Sequence, residues 1–116
     1  MKKILLGGLL FVLATVAVVA QNLPSITIVN NTGYEIFYVH MSPVEEEEFG
    51  EDWLGKETIK NGASKTFQLN IPLNTANMYD ILLEDEEGDY YVKMEVTITN
   101  NARIVFTQDD LDEDYY

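Results

Sequence analysis

From Ser25 onward apolar side chains return at every second position in short runs, and no stretch keeps a 3.6-residue period for three turns. That pattern restricts the fold to short β-strands separated by turns. Residues 25–30 place Ile26 and Ile28 on one face, and Asn30-Asn31-Thr32-Gly33 supplies the turn that follows. In residues 34–41, Tyr34, Ile36, Tyr38 and His40 alternate with Phe37, Val39 and Met41, so both faces are apolar enough for a central strand. Residues 57–60 and 63–71 read as two arms of a hairpin about Asn61-Gly62, a pair that readily takes the positive φ of a type I′ turn. Phe67, Leu69 and Ile71 alternate in its second arm, which Pro72 ends. A further hairpin joins residues 79–84 to 90–99 through Asp85-Glu86-Glu87-Gly88-Asp89, with Tyr90, Val92, Met94, Val96 and Ile98 on its apolar face. A last strand covers 103–107. Residues 44–49 admit one short helical turn at most. The expectation is an all-β domain, an antiparallel β-sandwich of about six to seven strands of the Ig-like or prealbumin-like kind.

The first twenty residues stand apart from that domain. Met1-Lys2-Lys3 gives a positive start, residues 4–20 carry no charge, and Val18 and Ala20 are small residues at −3 and −1 of a cleavage point before Gln21. This predicts a secretory signal peptide over 1–20, a β-sandwich domain over 21–108 and an acidic tail over 109–116. The apolar run also reaches the lower edge of a membrane span, so a retained anchor is the alternative. Lys2 and Lys3 are two of the seven basic residues and none of the 20 acids precedes residue 21, so cleavage leaves 5 basic against 20 acidic side chains, a net charge of −15. Such a surface repels nucleic acid and anionic lipid and favours solubility as a monomer; it attracts divalent cations and basic protein surfaces or peptides. The absence of cysteine removes disulfides, thiolate catalysis, zinc ribbons and iron–sulfur clusters, and the single His40 removes multi-histidine metal sites. A domain exported without disulfides points to a bacterial periplasm or exterior.

One segment breaks the strand rhythm. Residues 42–56 hold the only Trp, two glycines and a run of acids, and irregular segments of this length inside a small domain are commonly functional. Either Phe49, Trp53 and Leu54 plug an end of the sandwich while the glutamates face water, or Trp53 anchors a partner that the glutamates steer. Asp85, Glu87 and Asp89, spaced by two about Gly88, offer carboxylates to Ca2+, although the EF-hand spacing is missing. Asp52 and Asp80 sit beside large apolar residues, so each carboxylate must be exposed, hydrogen-bonded to backbone or bound to a cation. Phe49, Asp52, Trp53 and Asp80 are therefore the expected binding residues, and Asp85, Glu87 and Asp89 the expected metal ligands. Catalysis has little support. His40 and Ser42 share a strand face without a nucleophile elbow, and there is no phosphate loop.

Phe49-Gly50-Glu51-Asp52-Trp53-Leu54-Gly55, Gly62-x-Ser64 and Tyr79-Asp80-Ile81, continued by Asp85-x-x-Gly88-Asp89-x-Tyr91, resemble a group of small secreted bacterial proteins of uncharacterised activity. Spirochaete envelope proteins are among them. The resemblance spans residues 26–110. Phe49 stands where that pattern has Trp, and Trp53 occupies a variable position. The resemblance implies a β-sandwich and secretion, with no assignable activity. A non-catalytic binding module is thus expected first, a purely structural envelope protein second and a small hydrolase third.

Overall fold

The computed structural model describes residues 23–115, so the expected leader over 1–20 lies outside the described residues. Six strands form in chain order: β1 (Ser25–Asn31), β2 (Ile36–Pro43), β3 (Ser64–Gln68), β4 (Met78–Asp85), β5 (Tyr90–Thr97) and β6 (Ala102–Thr107). They make two three-stranded sheets, ordered β3-β1-β6 and β2-β4-β5. Ile26, Ile28, Phe67, Ile104 and Phe106 of the first sheet share one buried core with Ile36, Val39, Met41, Tyr79, Ile81, Leu83 and Tyr91 of the second. The fold is all-β and sandwich-like, at the lower end of the expected strand number. Pairing is antiparallel except between β1 and β6, which run parallel with Ile28 opposite Ile104. No helix among the described residues is long and apolar enough to cross a membrane.

Two irregularities decide which residues face inward. In β2 the register shifts between Ile36 and Tyr38. A bulge residue reverses the sidedness of everything after it. Ile36, Val39 and Met41 consequently all enter the core, while Phe37 and Tyr38 are 38% and 42% exposed. The expected central strand is instead the edge of its sheet. In the β4–β5 pair, Tyr79 faces Val96 but Ile81 faces Lys93, so β5 carries one extra residue. Glu95 takes a left-handed φ of 54° there, and the Asp80 Oδ1 accepts a hydrogen bond from its backbone N–H at 2.8 Å. The expected Tyr90-Val92-Met94 face therefore turns outward. Tyr91 is fully buried, Met94 is 57% exposed, and the Lys93 ammonium lies 5.4 Å from the centre of the Phe106 ring and 3.1 Å from Asp110. Beyond the bulge Ile98 is buried, as expected.

The Asn61-Gly62 turn forms, with Gly62 at φ +88° and Ala63 N–H donating to the Lys60 carbonyl, but it does not close a hairpin. Its upstream arm makes a single bridge, Ile59 to Ile36 in the second sheet, and its downstream arm is β3, which pairs with β1 in the first. The turn carries the chain between sheets. Buried Asn30 holds this corner, donating from Nδ2 to the carbonyls of Tyr34 and Ile59 and accepting at Oδ1 from the Thr32 N–H and hydroxyl.

The acidic C-terminal segment is docked on the domain. Thr107 caps a 3-10 turn, Gln108–Asp110, through a capping box with Asp110. Leu111 then bridges Tyr91 on the outer edge of β5, Asp112 N–H donates to the Tyr90 carbonyl, and Tyr115 packs edge-on against Tyr90 and Phe49, at 5.5 and 6.3 Å between ring centres.

Candidate functional site

Asp52, Asp80 and Asp85 divide from the other acids singled out by sequence by what their carboxylates do. An Asp side chain is short enough to turn back onto nearby backbone N–H groups and stand in for a turn of main chain. Asp52 Oδ1 accepts from Val39 N–H at 2.9 Å and Leu54 N–H at 3.0 Å, and its Oδ2 from Gly55 N–H at 2.9 Å. It thereby ties the irregular segment to β2. A second tie runs from His40, whose Nδ1 lies 3.1 Å from the Gly50 carbonyl; a carbonyl only accepts, so the imidazole donates. Asp80 is spent on the β5 bulge. Of the three routes open to Asp52 and Asp80, both take hydrogen bonding to backbone.

Asp85 is 2% exposed and fully occupied in the same way. Its Oδ1 accepts from the N–H groups of Glu87 at 2.8 Å and Asp89 at 3.0 Å, and its Oδ2 from the Tyr91 hydroxyl at 2.7 Å. Glu87 and Asp89 are exposed, and among the described residues no three His, Asp or Glu side chains converge as metal ligands would. The carboxylate expected to lead a cation site is the organiser of its own hairpin turn.

Burial first, then this hydrogen bond to Asp85 and that carboxylate's charge, push the Tyr91 pKa up to about 12. A tyrosine whose folded pKa exceeds its unfolded value of 10.0 stabilises the fold fully below pH 10 and loses that contribution as pH rises towards 12. Denaturant midpoints should stay flat through pH 10 and then fall by on the order of 2–3 kcal/mol of stability. No fall between pH 10 and 12 would mean that Tyr91 ionises in the fold as a free tyrosine does.

With Asp52 fixing its C-terminal half to β2, the irregular segment borders a cleft of ≈ 440 Å³. Leu54 is buried in the core and half-buried Trp53 packs against it, meeting the Phe67 ring edge-on at 6.2 Å, so the segment contributes to the core through these two residues. It also builds the cleft, because Phe49, Asp52 and Trp53 line it together with Glu46, Glu51 and Tyr79. Three of the four expected binding residues thus meet. Asp80 lies in a smaller adjoining hollow of ≈ 330 Å³ with Glu46, Glu47, Phe49, Met94 and Tyr115. Glu45, Glu46, Glu47, Glu48 and Glu51 are all exposed around these openings.

Tyr79 is a residue that the sequence does not single out for function. It is 2% exposed, and its hydroxyl is the one buried side-chain polar atom among the described residues with no hydrogen-bond partner. Burial raises its pKa, and so do the charges of Glu45 and Glu46. Nothing in strand periodicity separates a tyrosine whose hydroxyl is paired, as in Tyr91, from one whose hydroxyl is not.

A third concavity, of ≈ 640 Å³, lies between β5 and β6 and is lined by Lys93, Met94, Glu95, Arg103 and Val105 among others. It mixes both signs of charge and holds no unpaired buried group.

No family model matches the chain, and no curated protein matches it. Among solved structures, the chain is similar to one described as the NMR structure of the protein from Eubacterium rectale, with a TM-score of 0.55, 11% identity, and 76% of this chain and 80% of that one covered. The likeness is one of fold.

Proposed function

We propose that the protein is an exported, non-catalytic binding module whose irregular segment, residues 42–56, receives a basic protein surface or peptide. The observation that carries this reading is the cleft itself: Phe49 and Trp53 supply aromatic walls and Glu46 and Glu51 supply negative charge at one opening. Aromatic anchors surrounded by charge of one sign are what recognition of an oppositely charged partner requires. A net charge of −13 for the whole chain acts in the same direction by steering cations towards the surface. In this reading the domain acts as a monomer, Ig-like or prealbumin-like in its use of end loops for binding. It would belong with the small secreted bacterial proteins that its loop and hairpin motifs resemble, in the periplasm or outside the cell.

Trp53 is the only tryptophan, so its emission reports on the cleft directly. Titration with short peptides of Lys or Arg alternating with Gly should give a saturable shift that weakens with salt, and Glu-Gly peptides of the same length should give none. Absence of a shift with every peptide at millimolar concentration would overturn the reading.

The geometry gives less support to a Ca2+-stabilised turn at Asp85, Glu87 and Asp89, since Asp85 is already committed to backbone and Tyr91. Thermal midpoints in EDTA, calcium and magnesium are accordingly expected to agree apart from shared charge screening. A calcium site occupied at a hundred times its dissociation constant would add about 2.7 kcal/mol, roughly ten degrees or more for a domain of this size, and a rise of that kind confined to calcium would reinstate it.

A further inference from the structure

We infer that the cleft recognises the guanidinium group of an arginine side chain, and that the hydroxyl of Tyr79, one of its lining residues, is the specificity-determining acceptor. The inference rests on the reading of residues 42–56 as the binding segment and names the chemical group it takes. An acidic rim alone would not separate arginine from any other cation. The second observation is the unpaired hydroxyl. Tyr79 lines the cleft, is buried to all but 2%, and keeps a polar atom with no partner in an environment where phenylalanine would pack without that cost.

Three features of the site match guanidinium better than ammonium. Its flat, weakly hydrated plane stacks on aromatic faces, and Phe49 and Trp53 stand on the cleft walls. Its donors are spread in a fork, so one N–H can reach the Tyr79 oxygen while others meet the Glu46 or Glu51 carboxylate. The Tyr79 hydroxyl, kept protonated by burial and by Glu45 and Glu46, then accepts through its lone pairs and donates its own hydrogen to a carboxylate. The cleft volume of ≈ 440 Å³ is at the small end of ligand pockets, roughly 300–1,000 Å³, which suits one long side chain rather than a folded ligand. Because the hydroxyl oxygen is sealed from solvent, arginine reaches it only as neighbouring lining residues, Glu46 and Phe49 among them, move aside. Binding should therefore change the amide signals of those residues as well as Trp53 emission.

The test uses the purified protein and acetyl-Gly-Arg-Gly-amide, with the lysine and citrulline counterparts as controls; citrulline keeps the planar shape and loses the charge. The arginine peptide should shift Trp53 emission saturably, lysine should bind several-fold more weakly, and citrulline should not bind. Tyr79→Phe should weaken arginine binding about tenfold, as loss of a hydrogen bond to a charged donor does, without lowering the thermal midpoint. Glu46→Gln should weaken arginine and lysine alike. Equal arginine affinity in Tyr79→Phe and the unaltered protein, or equal affinity for arginine and lysine, would overturn this inference and leave the basic-partner reading standing. No response to any of the peptides would overturn both. A large drop in midpoint for Tyr79→Phe would show that the hydroxyl is paired within the fold and would also overturn it.

Discussion

Replacing Asp85 by alanine should lower the thermal midpoint more than any other single change to a charged residue. The substitution strips the acceptor from two backbone N–H groups and from the fully buried Tyr91 hydroxyl, which keeps only the hydrogen bond it accepts from Gln108 Nε2. Each unsatisfied buried group costs about 1–3 kcal/mol, and the two amides lie beside exposed Glu87 and Asp89 where water can replace part of the loss, so the total should be about 3–5 kcal/mol. Against the roughly 5–15 kcal/mol that holds a domain together, and at about 4–8 °C per kcal/mol for a domain of this size, the midpoint should fall by some 15–30 °C. Asp85→Asn keeps one carbonyl oxygen for the two amides and should cost about half as much. The loss should be the same in EDTA and in calcium. A loss seen only with calcium present would show that the carboxylate acts through a bound ion.

The second large effect belongs to Asp52 and is regional. Asp52→Ala frees the amides of Val39, Leu54 and Gly55 together, for a cost of about 2–4 kcal/mol. Gly55 holds a left-handed φ of 64°, a conformation that the Asp52 Oδ2 hydrogen bond secures. Without it the segment should lift from the core, Trp53 emission should move to the red, and peptide binding should be lost. Hydrogen exchange is the deciding measurement: the amides of Val39, Leu54 and Gly55 should lose protection while those of Ile81 and Leu83, in the middle of β4, keep theirs. Uniform loss across β4 would mean that Asp52 supports the whole fold and that the segment has no independence. Asp52→Glu should behave like the alanine variant, because the added methylene carries the carboxylate past all three amides.

Some of this was open to a reader of the sequence alone. The turn at residues 85–89 and the strands on either side of it could be placed because acids and glycine interrupt two apolar runs that are adjacent in the chain and pair with each other. The irregular segment could be marked as the place for a site because its composition differs from everything around it, and Phe49, Asp52 and Trp53 do meet there. The faces of β2 and β5 were open only up to their bulges. The bulge in β5 is held by Asp80 and Glu95, fifteen positions apart, and alternation within β5 carries no mark of a bond to β4.

What the residues by themselves determined is the period of two, the places where it stops, and hence an all-β chain with one exceptional loop. Those are local properties, set by which side of the backbone each neighbour occupies. Only the tertiary structure decided that the strand after Asn61-Gly62 pairs with β1 across the chain, that β1 and β6 run parallel, and that the C-terminal acids lie against β5. It alone shows that one core tyrosine donates to Asp85 while another, in the lining of the cleft, keeps its hydroxyl unpaired. Strand pairing and the satisfaction of a buried polar atom depend on groups far away in sequence, and each hydroxyl finds its partner, or lacks one, only when the two sheets close over it.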